Sequence, residues 1–274
     1  MIDCGEGTQN RLAQYNLKHS KIDHIFISHL HGDHFFGLIG LISTMHLYGR
    51  KKDLHLYGPF DLSDIITVQL RASGTLLRFK LVFHGLDGNR KLIFENDQLT
   101  VETIPLNHRI NCQGFLFREK RKPRKINKEK LPENFPLRYM ALLKKGEDII
   151  DDSGTLLYTN KDLTFDPPEP RSYAYCSDTK YEEDILDQIK EVDLLYHEAT
   201  FMSDMESRAD ETYHSTAAQA ASIAKIANVN KLILGHYSSR YKNIDPLLSE
   251  AKSIFPGSLL AIEGETFEII EKRK

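Results

Sequence analysis

Four side chains able to bind a metal ion fall within six residues: His29, His31, Asp33 and His34, in the run Ser28-His29-Leu30-His31-Gly32-Asp33-His34. Neutral imidazoles and a carboxylate packed this closely are costly to desolvate unless a cation lies among them. On one regular helix these offsets would point the groups in several directions. A tight loop eased by Gly32 lets them divide between two ions, His29 with His31 and Asp33 with His34. The chemistry suited to such a pair is metal-assisted hydrolysis. Further along, His108, Asp178, Glu198 and His236 each follow a strand-like stretch. Any one of them would read as a cap or a surface residue. Together with the run they indicate strand ends converging on one site. A two-metal centre needs a third ligand for each ion and a bridging carboxylate, and His108, His236 and Asp178 fill those places.

The elements that must position these groups are legible from periodicity. Residues 24–27 are predicted as a short buried strand and 35–47 as an apolar helix, so the run is expected on a strand-to-helix loop. Helices are also predicted at 7–16, 61–72 (capped by Asp61 or Ser63), 182–190, 215–227 and 245–255. Strands are predicted at 54–57, ended by Gly58-Pro59, and at 79–83, 99–104, 113–117, 174–176, 194–196, 232–234, 259–262 and 267–270. This alternation places the chain in the α/β class.

With 274 residues, 41% of them hydrophobic, the chain can bury a full core, and a single domain over 1–274 is expected. The most apolar stretch, 35–47, is too short to span a membrane, and the first residues show no signal peptide, so no membrane partner is expected. Cys4, Cys112 and Cys176 form no Cys-x-x-Cys pair and read as small buried residues of a protein in the reducing cytoplasm. A net charge of −3 gives no overall positive coat for nucleic acid, yet residues 118–130 carry eight Lys or Arg against two Glu. With Pro123, Pro132 and Pro136 and no clean periodicity, 118–147 is expected to be an inserted, protruding basic arm. It is either a solvated loop or, if the substrate is a polyphosphate, a contact for its backbone.

The order His-x-His-x-Asp-His, then His108, then Ser177-Asp178-Thr179, then Gly235-His236 resembles the metallo-β-lactamase superfamily. That resemblance implies two mixed sheets facing each other between outer helices, a four-layer αββα sandwich with a dinuclear zinc site at one edge. Four motifs narrow it: Asp3-Cys4-Gly5-Glu6-Gly7-Thr8-Gln9, His197-Glu198-Ala199-Thr200-Phe201, His214-Ser215-Thr216, and His236-Tyr237-Ser238-Ser239-Arg240-Tyr241. Over essentially the whole chain the sequence resembles the ribonuclease Z family, endonucleases that remove 3′ trailers from precursor tRNA. Family members carry one or two strands ahead of the Asp-Cys-Gly-Glu motif, so the first N-terminal strands are expected to be missing here. The family's arm signature is matched only partly, by Phe135-Pro136-Leu137 and Lys144-Lys145-Gly146.

The resemblance implies two Zn²⁺ ions per subunit, one on His29, His31 and His108, the other on Asp33, His34 and His236, with Asp178 bridging. It implies hydrolysis by a hydroxide held between them, leaving a tRNA 3′-hydroxyl and a trailer 5′-phosphate. Asp33 would orient or deprotonate the nucleophile. His214, made more basic by pairing with Glu198, would protonate the leaving oxygen. Two other readings stay open: Glu198 as the orienting partner of a ligand histidine, and His214 as a cap-region residue beside a Ser215-Thr216 cap. Arg240, Ser238, Thr8 and Gln9 are assigned to substrate contact. The implied partners are precursor tRNA and a second copy of the chain, in the cytoplasm. Rival readings are a small-molecule ester, thioester or sulfate hydrolase with the arm as a lid, and a non-catalytic RNA-binding or interface protein. The complete ligand set argues against the second, and the arm with the Ser-Ser-Arg-Tyr motif against the first. His19, His24, His46, His55 and His84 have no partners in sequence and read as structural.

Overall fold

Period-two alternation assigns the faces of the smaller sheet. In the computed structural model, which describes residues 1–272, strands His24–Phe26, Leu54–Pro59 and Leu81–Leu86 run parallel in that order. Ile25, Leu54 and Leu56 turn to one side and cluster with Leu38, Leu41, Ile42 and Met45 of helix Leu38–Leu47 and Leu62 and Ile66 of helix Asp61–Ala72. Leu41 is fully buried there, and its truncation to Ala would cost about 2–5 kcal/mol. Phe26 and Tyr57 turn the other way, stacked at 4.6 Å, and the Phe26 ring lies 5.4 Å from Phe115 and 5.5 Å from Phe117 of the second sheet.

That second sheet holds seven strands among the described residues, in the order Ser258–Leu260, Lys231–Gly235, Leu194–Glu198, Ser172–Cys176, Cys112–Glu119, Leu99–Leu106, Leu92–Glu95. The first four are mutually parallel. Ala174, Cys176, Leu195, Leu232 and Leu234 pack under helices Ala217–Ile226 and Asp245–Ile254, whose Ala220, Ala221 and Ala224 permit close approach. Tyr175 faces the first sheet, its hydroxyl donating to Asp3 at 3.2 Å. Two sheets face each other between outer helices, as the resemblance implied.

Several elements differ from the sequence expectation. The metal-ligand run does not stay in a loop: Gly32–Phe35 forms a four-residue helix with His31 at its N-cap, so Asp33 and His34 ride its first turn. The helix expected over 35–47 breaks before Leu38 because Gly37 is pressed against the chain's first segment. Its N–H donates to Cys4 O at 2.9 Å, and a Cβ on Gly37 would come within 1.9 Å of Gly5 O. Neither Asp61 nor Ser63 caps helix Asp61–Ala72; its N-cap is Phe60, with no side-chain bond. Of 182–190 only Leu186–Ile189 is helical, because Glu182 turns back to accept from Asn107 Nδ2 at 3.1 Å and from Asp184 N–H at 3.3 Å. Strand Leu54–Pro59 continues through its Gly-Pro, pairing Pro59 with Leu86. Residues 267–270 form no strand; Ile269 O instead accepts from the Arg171 guanidinium at 3.3 Å.

The chain divides into two compact units. One comprises Met1–Phe94, Val101–Phe117 and Ser172–Phe267; the other Glu95–Thr100, Arg118–Arg171 and the described residues from Glu268 onward. The segment expected as an arm, 118–147, belongs to the second unit, which runs on to Arg171. This unit has a core of its own, Phe135, Leu143, Ile149 and Leu163, with Ile126, Leu131, Tyr139 and Tyr158 against it. Its elements escape periodicity analysis because they are so short: helix Met140–Lys145 has six residues, and strands Lys125–Ile126 and Thr164–Phe165 have two each. Buried Asn160 ties them, donating to Leu143 O at 2.8 Å and Glu147 O at 3.1 Å.

Candidate metal centre

The strand from His24 carries the chain into the inter-sheet space, where buried Gln113 of the second sheet donates to Ile27 O and Ser28 O at 3.2 and 2.8 Å. From there the chain's own hydrogen bonds select one nitrogen of each imidazole. Ser28 Oγ donates to Asp3 Oδ2 at 2.9 Å and so accepts from His29 Nδ1–H at 3.0 Å, turning Nε2 inward. His34 Nδ1–H donates to Asp3 at 2.7 Å, and His108 Nδ1–H to Tyr213 O at 2.9 Å. Thr200 Oγ1 donates to Glu198 at 2.7 Å and accepts from His236 Nδ1–H at 3.0 Å. His31 is reversed: its Nδ1 lies 3.0 Å from His29 Nε2 and 3.2 Å from His108 Nε2. Fixing the outer nitrogen fixes the tautomer and aims the other at a ligand.

The inward atoms form two sets joined by Asp178, which is 3% exposed. Its Oδ2 lies 3.7 Å from His29 Nε2 and 3.9 Å from His108 Nε2, while Oδ1 lies 3.4 Å from His34 Nε2 and 3.3 Å from His236 Nε2. Asp33 Oδ2 completes the second set, 3.4 Å from His34 Nε2 and 3.5 Å from His236 Nε2. His29, His31, His108 and Asp178 thus have ligand atoms close enough to share one ion, as do Asp33, His34 and His236. Asp178, His214 and His236 meet the same spacing. We assign His214 outside the ligand sets because its Nδ1 is taken by Glu198 at 2.8 Å, against 3.9 Å to Asp178.

The donor set fits a divalent cation. Buried His34 Nε2 makes no hydrogen bond although two carboxylate oxygens lie 3.4 Å away, a spacing that suits a shared ion rather than a direct bond. Burial, then the neighbouring His34, His108 and His31, push His29 down to about 2; burial and then Arg109 lower His31. Burial likewise lowers His108. These three are neutral imidazoles ready to ligate. Burial opposes charge on His34 and His236 as well, but the Asp3 hydrogen bond and the nearby Asp33 carboxylate push His34 up to about 10, and Asp33 with Asp178 and Glu198 pushes His236 up to about 8. The neighbouring His236 and then His34 imidazoles hold the Asp33 carboxyl well below its usual range. The carboxylates here demand positive charge, which divalent ions satisfy.

Backbone strain concentrates around the same groups. Asp3, Tyr213 and His236 are non-glycine residues in the left-handed region, at φ 49, 62 and 57°, a conformation costing about 1–3 kcal/mol each. Glu198 is fully buried and accepts from Thr179 N–H at 2.9 Å and Thr200 N–H at 3.2 Å besides Thr200 Oγ1 and His214. Burial alone would raise its carboxyl, but the His214 hydrogen bond and charge, with His236 and the Thr200 hydrogen bond, together outweigh that and hold it low. Thr216 caps the following helix reciprocally with Gln219, so His214 is free of that task.

Arg240 and Ser238 lie in the loop after His236: Arg240 Nε donates to Ser238 Oγ at 3.1 Å and its guanidinium lies 5.0 Å over the Phe201 ring. Thr8 and Gln9 are engaged elsewhere. Thr8 donates to Gly5 O at 2.7 Å, and the Gln9 amide lies against Gly40, where a Cβ would approach it to 2.5 Å. Sequence reasoning missed Asp3, Thr200 and the Tyr213 carbonyl as positioning groups, and Arg109, whose Nη2 lies 3.3 Å from His31 Nε2. Asp3 and Thr200 lie within the motifs quoted above, and Arg109 is a lone cation directly after a candidate ligand histidine, whereas the Tyr213 carbonyl left no signal.

The family model for the anti-Pycsar protein Apyc1 matches residues 1–122, under half of the chain. Ribonuclease Z of Cytophaga hutchinsonii is 51% identical over 273 residues, 99% of this chain and 87% of that protein. Ribonuclease Z of Bacteroides fragilis YCH46 is 46% identical over 265 residues, 96% and 87% of the two chains. Among solved structures, human tRNase Z, short form, is similar with a TM-score of 0.70 at 29% identity, covering 98% of this chain and 87% of that one. The metallo-beta-lactamase fold protein YhfI of Bacillus subtilis shares the fold, with a TM-score of 0.63 at 20% identity over 96% of this chain and 84% of its own. The chain, with its convergent histidines and carboxylates at the edge of a metallo-β-lactamase fold, belongs to the ribonuclease Z family.

Proposed function

We propose that this protein is the endoribonuclease that removes the 3′ trailer from precursor tRNA, leaving a tRNA 3′-hydroxyl and a trailer 5′-phosphate. The observation that carries this is the pair of ligand sets sharing Asp178 in a chain 51% identical to a ribonuclease Z. His29, His31 and His108 would hold one Zn²⁺, Asp33, His34 and His236 the other, with Asp178 between them. Such ions supply Lewis acidity and a water acidic enough to act as nucleophile near neutral pH.

The chain's own residues supply the rest. Asp33, beside His34 and His236, would orient or deprotonate the attacking water. His214, its Nδ1–H fixed on Glu198 at 2.8 Å, presents Nε2 to protonate the departing 3′-oxygen. Arg240 and Ser238 contact phosphate at the rim. In the second unit, Arg121, Lys122, Arg124, Lys144 and Lys145 line a cavity of about 650 Å³. We read this unit as the exosite for the tRNA backbone, working through a salt-sensitive attraction. The protein acts as a homodimer in the cytoplasm; among the described residues no helix is long and apolar enough to cross a membrane.

The test is incubation with a 3′-extended precursor tRNA and mapping of both new ends. Cleavage after the discriminator nucleotide, with a 5′-phosphate on the trailer, is expected. An intact precursor alongside rapid hydrolysis of a simple ester or thioester would transfer the protein to the small-molecule hydrolases.

A further inference from the structure

Arg109 directly follows the ligand His108, and its side chain is exposed at the rim of the metal centre. Its polar contact is with His31, Nη2 to Nε2 at 3.3 Å, and among the described residues no carboxylate pairs with it. His31 gives Nδ1 to the centre, 3.0 Å from His29 Nε2 and 3.2 Å from His108 Nε2. An imidazole that ligates through Nδ1 carries its proton on Nε2. The two facing groups are then both donors, an N–H against a guanidinium, and neither can accept. An exposed guanidinium with N–H donors and no protein acceptor, beside a site that cuts phosphodiesters, is placed to take an anion.

We propose that Arg109 binds the RNA phosphate adjacent to the one that is cut, an inference that rests on the ribonuclease reading above. The His31 ring lies between the guanidinium and the ligand nitrogens. Arg109 therefore reaches past the reacting phosphate to its neighbour along the strand. The planar fork grips two non-bridging oxygens at once and sets the register of the strand over the centre.

Arg109→Ala and Arg109→Lys test this in the metal-loaded protein. The readouts are equilibrium binding, across a salt series, of a precursor tRNA with a hydrolysis-resistant methylenephosphonate at the cleavage site, cleavage of the ordinary precursor, and hydrolysis of bis(p-nitrophenyl) phosphate. Arg109→Ala is expected to bind the precursor about tenfold more weakly, with the slope of log K against log salt reduced by about 0.7–0.9, one phosphate contact. Arg109→Lys restores the slope but only part of the affinity. The loss on precursor tRNA should exceed the loss on bis(p-nitrophenyl) phosphate, which has no neighbouring phosphate, by about tenfold. Unchanged affinity and slope overturn the proposal, as do equal losses on both substrates, which would make Arg109 a support for His31. A parent protein that leaves the precursor intact overturns the ribonuclease reading itself, whatever Arg109→Ala does.

Discussion

Glu198→Gln removes one charge from the most enclosed carboxylate of the centre while keeping its volume. Oε1 accepts Thr179 N–H at 2.9 Å and His214 Nδ1–H at 2.8 Å; Oε2 accepts Thr200 N–H at 3.2 Å and Thr200 O–H at 2.7 Å. Four donors converge on two oxygens, and a carboxamide has only one. With its oxygen toward Thr179 and His214, its NH₂ meets Thr200, whose hydroxyl can turn to His236 O at 3.0 Å and accept instead. Thr200 N–H is then left unpaired in a fully buried pocket, at about 1–3 kcal/mol. At about 2–4 °C per kcal/mol for a chain of this size, Tm falls by roughly 2–12 °C. His214 keeps its tautomer but loses the carboxylate charge facing its Nδ1–H. We expect kcat on precursor tRNA to drop roughly 10- to 100-fold. Thermal melting and single-turnover cleavage read both effects. An unchanged Tm would refute the donor count; a lowered Tm with parental kcat would confine Glu198 to a structural role.

Three further outcomes are expected. Asp3→Ala frees His34 Nδ1 from its 2.7 Å acceptor and should weaken metal binding about 10- to 100-fold in competition with a chelator; parental affinity would mean that Asp3 does not orient the ligand. His24 and His84 are held below their ordinary value of 6.5 by burial first and by His55 next. The unfolded chain therefore binds these protons more readily, and stability, full above pH 6.5, declines as pH falls below it. The decline in Tm should flatten in His84→Gln, and an equally steep curve would contradict it. Reversing charge at Lys144 and Lys145 together should raise KM for precursor tRNA at least tenfold more than for a single-phosphate diester; proportionate losses would deny the second unit its part in tRNA binding.

The candidate ligands were legible because their spacing and strand-end positions are written in sequence order. His29, His31, His108, Asp178 and His236 all arrive by the rule that open α/β sheets present chemistry where strands end. Legibility failed where geometry depends on contacts distant in sequence. Asp3 reaches His34 across 31 residues, and His108 reaches the Tyr213 carbonyl across 105. The break before Leu38 required knowing that Gly37 meets Cys4 O. The second unit stayed opaque because strands of two residues carry no period to read. His24, His55 and His84, apparently partnerless in sequence, stack across neighbouring strands, with His55 Nδ1 3.0 Å from His84 Nε2.

The most direct measurement is cleavage of a 3′-extended precursor tRNA before chelation, after exhaustive chelation and after return of Zn²⁺, with bound metal counted at each stage. We expect two ions per chain with full cleavage, loss of cleavage as they are removed, and its recovery on their return. Cleavage that persists at the same position after both ions are gone would contradict this expectation.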